Sequence, residues 1–216
     1  MLSNKIKIIL FLLIIIFGTG LRLHHLTKDD IWYDEALSIQ TAQKPVLEMF
    51  TIHPGQDLAN YPPVYYFFLK GWINIFGHTP LATRSFSVLW GVLAILVIFG
   101  IGRILLGDVY GLLAAFLLAI SSFHIYYSQE VRGYSLQIFL FCLAIYFFIR
   151  LLKEQKRLFW FAYVFLQVLV IYVHTFTIFI WTSLFLFHIF YLWRGRQSVI
   201  EITKKLSSQW VICLGI

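Results

Sequence analysis

Acidic residues are scarce in this sequence: ten Asp and Glu stand among 216 residues, against seventeen Lys and Arg, and charged residues of both signs make up only 12% of the chain. Hydrophobic residues make up 60% and the mean hydropathy is +0.81, which is far from the mixture a soluble domain carries. Water is therefore excluded as the solvent of most of the chain. Cysteine is nearly lacking as well: Cys142 and Cys213 are the two present, both inside apolar runs, so a disulfide framework is not indicated. There is no glycine-rich phosphate loop, no dinucleotide-binding fingerprint, no HExxH and no paired Cys/His spacing. Nucleotide-cradling and spacing-defined zinc sites thus find no support. Internal repeats and low-complexity tracts are absent too.

What the chain does have is apolar runs bounded by charge. A bilayer core about 30 Å thick calls for roughly 20 apolar residues per helical span. Runs of that kind lie at 6–23, 85–106, 110–126, 134–152, 158–173 and 175–193. The fold class expected is all-α, a polytopic membrane helical bundle forming a single transmembrane domain over residues 1–216. A seventh run begins near Gln209 and stops at Ile216, too short to cross a bilayer, so the sequence reads as the N-terminal part of a longer protein. The first run follows Lys5 and Lys7 as a signal peptide would, but Gly18-Thr19-Gly20-Leu21-Arg22 offers no A-x-A-type cleavage site. It is expected to be retained as a span.

The net charge of +7 is distributed in short clusters at span ends rather than in one stripe, which points to membrane topology and away from nucleic acid. With the N-terminus cytoplasmic, eleven of the seventeen basic residues fall inside (Lys5, Lys7, Arg103, Arg150, Lys153, Lys156, Arg157, Arg194, Arg196, Lys204 and Lys205), beside only Asp108, Glu154 and Glu201. The outer stretches hold Arg22, Lys28, Lys44, Lys70, Arg84 and Arg132 with the other seven acids. The positive-inside rule sets this orientation.

Residues 24–83 form a long outer loop too rich in aromatics to be a disordered linker. Trp32, Ala36 and Ile39 lie along one helical stripe ended by Pro45, which predicts a short amphipathic helix at the membrane interface. Residues 62–76, with proline at the start and Gly77 at the stop, predict a second interfacial helix.

Two polar strings on the outer side are candidates for chemistry. In the first, Asp34 and Glu35 are neighbours; successive helical residues point about 100° apart, so both cannot address one atom. One faces a cavity while the other caps or braces the helix, or both merely favour a helix N-terminus through its dipole. In the second, Tyr127, Glu130 and Arg132 fall between the third and fourth spans. The planar fork of Arg132 suits a phosphate, with Arg84 or Lys70 as lesser donors; pairing with Glu130 or snorkelling to the interface is the plainer alternative. His174 closes the outer turn between the fifth and sixth spans, as a structural residue, a sugar contact or a metal ligand. His188, inside the last complete run, reads as a packed residue.

The strings IWYDEALS, YPPVYYFFLKGWINIFG, TRSFSVLWG, IYYSQEVRGYS and YVHTF, in this order and with spans between them, resemble the N-terminal half of polytopic glycosyltransferases that use a polyprenyl-phosphate sugar. These include the protein O-mannosyltransferases and the aminoarabinose transferases of lipid A, which share the C-type glycosyltransferase membrane fold. The resemblance runs over residues 21–193. It implies that Asp34 is the catalytic base and Glu35 its partner, that Arg132 lies beside the donor phosphate with Glu130 in the same string, and that His174 matches a histidine which in some relatives lies near a metal. Many relatives read His-Pro-Pro where this chain has Tyr61-Pro62-Pro63; His53 is too far upstream to stand in.

The activity so implied is inverting transfer of a sugar from a lipid phosphate to a hydroxyl-bearing glycan, lipid or protein on the non-cytoplasmic face of the cell membrane. Asp34 would take the acceptor proton and Arg132 would stabilise the leaving phosphate. The donor's lipid chain would lie among the membrane lipid between spans. Whether a divalent metal ion binds at Glu35 or His174 stays open, and no other cofactor is implied. A transporter would gather ionisable groups near the bilayer midplane, whereas charge here collects at span ends; a non-catalytic membrane subunit is the remaining alternative.

Overall fold

A computed structural model of the protein describes residues 3–50, 63–154, 156–173 and 177–194. Those residues hold helix and no strand: α1 (Asn4–Leu23), α2 (Tyr33–Gln43), α3 (Val46–Phe50), α4 (Pro63–Phe76), α5 (Pro80–Leu106), α6 (Asp108–Ala119), α7 (Ser122–Ser128), α8 (Tyr134–Glu154), α9 (Arg157–Ile171) and α10 (Thr177–Arg194). Each run expected to be a span falls on helix. α1, α5 and α8 are each long and apolar enough to cross a bilayer, and α6 with α7 makes a fourth candidate if the bent pair is one span. α9, at 15 residues, is shorter. The run near Gln209, together with Cys213, His53, Tyr61, Pro62 and His174, lies outside the described residues, as does the side chain of His188.

Local chemistry sets the helix ends. The Ser3 hydroxyl accepts from the Ile6 amide, and the Thr79 hydroxyl accepts from Ala82 one residue ahead of Pro80, each meeting an amide that the first turn leaves free. Gly77 (φ 82°) closes α4 and Gly107 (φ 100°) forms the whole turn between α5 and α6, a backbone region that costs glycine little.

The expected third span is not continuous. It breaks at Ile120-Ser121, and α6 and α7 meet at a bend of 62°. Ser121 restarts the helix by accepting from the His124 amide at 3.4 Å, an N-cap strong enough to begin a new helix inside an apolar run.

Two buried clusters hold the bundle. One joins α4, α5, α8 and α9 through Tyr65, Leu69, Phe86, Leu140, Phe148, Tyr163 and Val170. The other joins α1, α5 and α6 through Ile95, Ala115 and Ala119 against Ile14 and Ile15. α5 and α6 approach so closely that a Cβ on Gly111 would lie 2.7 Å from the Phe99 carbonyl oxygen. Small residues allow this kind of helix contact where lipid offers no hydrophobic drive. Ile8, Ile9, Leu12, Leu13 and Ile16 of α1 stay exposed, a surface suited to hydrocarbon.

α1, α5, α6 and α8 alternate in direction, so the described residues have two distinct ends. At one, Asp108 pairs with Lys7 at 2.6 Å and Arg103 at 2.8 Å, and Lys153 donates to the Ile104 carbonyl. At the other, the start of α5, the end of α1, α2 and the 129–133 connection meet.

Candidate active site

α2 leaves its apolar stripe on the side away from the bundle. Trp32 and Ala36 are exposed and Ile39 is half-buried, while Glu35, Ser38, Thr41 and Ala42 are buried. The helix turns a polar face inward because Glu35 has a partner there. Arg84, in the second turn of α5, meets it through Nε to Oε1 at 3.0 Å and Nη2 to Oε2 at 2.7 Å, and the Glu35 side chain is wholly buried. This fork-to-fork pairing suits the guanidinium plane.

A guanidinium has five N–H donors, and Arg84 uses all of them. Besides the Glu35 contacts it donates to the carbonyls of Leu26 and Asp29 at 2.9 Å each and of Asp30 at 3.1 Å. Arg84 therefore stitches the 24–32 turn to α2 and has no donor left for a ligand. Lys70 is similarly engaged: from α4 its ammonium reaches the carbonyls of Ala42, Gln43 and Lys44 at 3.4, 3.3 and 2.9 Å, closing the C-terminus of α2 as a cation there should. Both residues, expected as lesser phosphate donors, are engaged within the fold, Arg84 by the Glu35 carboxylate and three carbonyls and Lys70 by three carbonyls.

Glu35 also reaches across the chain. Its Oε1 accepts the Val131 amide at 2.9 Å, which fixes the 129–133 connection to α2. The next residue, Arg132, consequently faces Asp34: Nη2 lies 3.8 Å from Oδ2, with 22% and 37% of the two side chains exposed. At that separation the pair is electrostatic and not hydrogen-bonded. Asp34 and Arg132 thus meet across the fold with access to solvent, whereas Glu35 lies beneath them as their shared support.

Glu130 is buried behind the pair, and burial raises its carboxyl above the usual range although the Tyr126 hydroxyl bonds to it and lowers it in part. Its side chain is not the ion-pair partner of Arg132 among the described residues; Asp34 is. Tyr127 packs edge-on against Tyr134 at 4.6 Å, and the Arg132 guanidinium stands 5.9 Å from the Tyr134 ring centre. An aromatic wall with its cation borders the Asp34 side. Among the described residues no group of three or more His, Cys, Asp or Glu side chains is placed to hold a metal ion. Of the two metal candidates, Glu35 is taken up by Arg84 and Val131, and His174 lies outside the described residues.

One residue near the site was legible only as an outer cation. Arg22 is completely buried. Its guanidinium donates to the carbonyls of Gly18 at 2.8 Å, Ala119 at 3.1 Å and Leu118 at 3.1 Å, and meets His124 Nδ1 at 2.7 Å. The signal in the sequence was an arginine inside a run otherwise long enough to span, since ionisable residues there are rare and have a reason.

An all-helical bundle with helices long and apolar enough to cross a bilayer is consistent with the class of helical membrane glycosyltransferases. A family model described as dolichyl-phosphate-mannose-protein mannosyltransferase matches residues 60–215, most of the chain, and the protein belongs to that family. The match includes Arg84, Glu130 and Arg132 but begins after Asp34 and Glu35. No curated protein matches the chain.

Proposed function

We propose that the protein transfers a sugar from a polyprenyl-phosphate donor of the dolichyl-phosphate-mannose kind to a hydroxyl of a glycan, lipid or protein, with inversion at the anomeric carbon. The observation that carries this reading is the meeting of Asp34 and Arg132 at 3.8 Å from separate parts of the chain, both partly exposed, over the buried Glu35.

In the reaction, the acceptor oxygen attacks the anomeric carbon and its proton passes to the Asp34 carboxylate. The bond from the anomeric carbon to the phosphate oxygen breaks, and its electron pair leaves with the phosphate. A positioned carboxylate base is typically worth about 10² to 10⁴ in rate. Arg132 faces the charge that builds on the departing phosphate, an interaction stronger in the transition state than before it. As substrate enters, the loose Asp34 contact gives way to donor and acceptor. Glu130 and Tyr127 complete the wall, and Arg84 and Lys70 act as braces.

The test is transfer by the full-length protein from a polyprenyl-phosphate sugar, followed by mass spectrometry of the product. Asp34→Asn should lower turnover by about 10² to 10⁴. Arg132→Ala should lose most activity and Arg132→Lys should recover only part, since a point charge does not reproduce the planar fork. Near-normal transfer by Asp34→Asn, or equal rates in all three forms at 132, overturns the assignment.

A further inference from the structure

We propose that Arg22 is a positioning residue for this reaction, holding the 129–133 connection in register with Asp34 through a reciprocal clamp between α1 and the α6–α7 bend. The proposal rests on the transferase reading above.

A fully buried guanidinium is expensive unless its charge is met, and among the described residues no carboxylate forms an ion pair with Arg22. What meets it is the broken helix. In a continuous helix the Leu118 and Ala119 carbonyls would bond to amides one turn on; the 62° bend turns α7 away, so that both accept from Arg22 at 3.1 Å and Leu118 keeps only a long bond from the Ser121 amide at 3.4 Å. They form the negative end of the α6 dipole. A straight apolar span would need no charge here, so the cation belongs to the bend.

His124, two residues into the second half of the bend, is fixed by the same group. Arginine only donates, so His124 Nδ1 must accept at 2.7 Å. The ring is therefore neutral, with its proton on Nε2. Gly91 of α5 makes the room: a Cβ there would lie 2.2 Å from the Ser128 hydroxyl and 3.2 Å from Arg22 Nε.

The clamp closes in the opposite direction through Gln129, whose Nε2 donates to the carbonyls of Arg22 at 3.0 Å and His24 at 2.8 Å. α1 caps α6 with a side chain, and the residue that follows α7 caps α1. Gln129 stands two residues before Val131, whose amide meets Glu35, and three before Arg132, which faces Asp34. Releasing the clamp frees the upstream end of the segment that presents the guanidinium.

The experiment compares His124→Phe, which removes the acceptor, with His124→Asn, which returns an oxygen near the Nδ1 position, and adds Gln129→Leu. All are made in the full-length protein, with folded enzyme counted by size-exclusion chromatography. His124→Phe and Gln129→Leu should lower turnover per folded molecule by about 10 to 100-fold, in line with the cost of small displacements at a reacting centre. His124→Asn should restore most of it. In an Arg132→Ala background the same two changes should have little further effect, because they act through that guanidinium. Hydrogen exchange at the Val131 amide should quicken in His124→Phe and not in His124→Asn, a readout independent of catalysis. Unchanged exchange, or full additivity with Arg132→Ala, overturns the clamp. An inactive wild type, or an active Asp34→Asn, overturns the transferase reading and leaves the exchange result to decide the clamp.

Discussion

Asp34 and Glu35 show how one peptide bond separates two fates. About 100° of helical rotation sends one carboxylate to the solvent-accessible side and the other into a buried fork with Arg84, where both oxygens are used. Breaking a buried pair by removing one partner typically costs about 3 to 5 kcal/mol, because the other charge is left uncompensated. Arg84→Met should therefore lower thermal stability sharply, while Asp34→Asn, at a partly exposed position, leaves the melting temperature near that of wild type; similar melting temperatures for both would contradict the bracing role of Arg84. Glu130 supplies a pH test. Burial raises its carboxyl above the value in the unfolded chain, so its contribution to stability is complete below the unfolded value and is lost as pH rises through the folded one. Glu130→Gln should accordingly gain thermal stability relative to wild type as pH rises above the ordinary glutamate value of about 4.3; a difference that does not vary with pH would refute this. Asp34 and Arg132 were legible because acid and guanidinium strings stand beside apolar runs. The engagement of Arg84 was not, since nothing local to TRSFSVLWG tells a ligand donor from a brace whose five partners come from residues 26–35.

Periodicity located the helices well and their faces less well. The run at 134–152 became α8 almost residue for residue, because a long apolar stretch leaves little choice of structure in lipid. In α2 the apolar stripe through Trp32, Ala36 and Ile39 marks only the outer side of the helix: the inner side is set by one buried ion pair, which turns Ser38 and Thr41 inward, where their hydroxyls bond back to the carbonyls of Asp34 and Leu37. The bend between α6 and α7 was hidden for a different reason, as Ser121-Ser122 is a mild signal inside a strong apolar run and the break is completed by Arg22 from α1. Contact between α5 and α7 depends on Gly91. Gly91→Ala would drive a methyl against the Ser128 hydroxyl at 2.2 Å, and overpacking of this kind costs about 1 to 3 kcal/mol. Lower thermal stability is expected for Gly91→Ala, with partial recovery in Gly91→Ala, Ser128→Gly, where the obstructing side chain is gone. No loss in the single variant would show that the two helices are less tightly apposed.

The molecule as a whole is polarised along its helices, and charge explains how. Lys7, Arg103, Arg150, Lys153 and Lys156 gather at one end, where Asp108 and Glu154 are both paired with them. The candidate site gathers at the other. Unbalanced Lys and Arg beside short loops resist translocation, so the end bearing Lys156 is expected in the cytoplasm and the Asp34 end outside it. In the proposed reaction, a donor whose lipid chain stays in the bilayer would then present its sugar to acceptors beyond the cytoplasm, without soluble nucleotide. His78, exposed in the turn before α5, and Lys156, 63% exposed in its side chain before α9, mark the two ends. In full-length protein with its own cysteines replaced, His78→Cys should react with a membrane-impermeant maleimide in intact cells, and Lys156→Cys only after permeabilisation. The reverse pattern would place the Asp34 carboxylate in the cytoplasm and remove the physical reason for a lipid-linked donor. Labelling of both in intact cells would put the two ends on one side of the membrane and overturn this orientation.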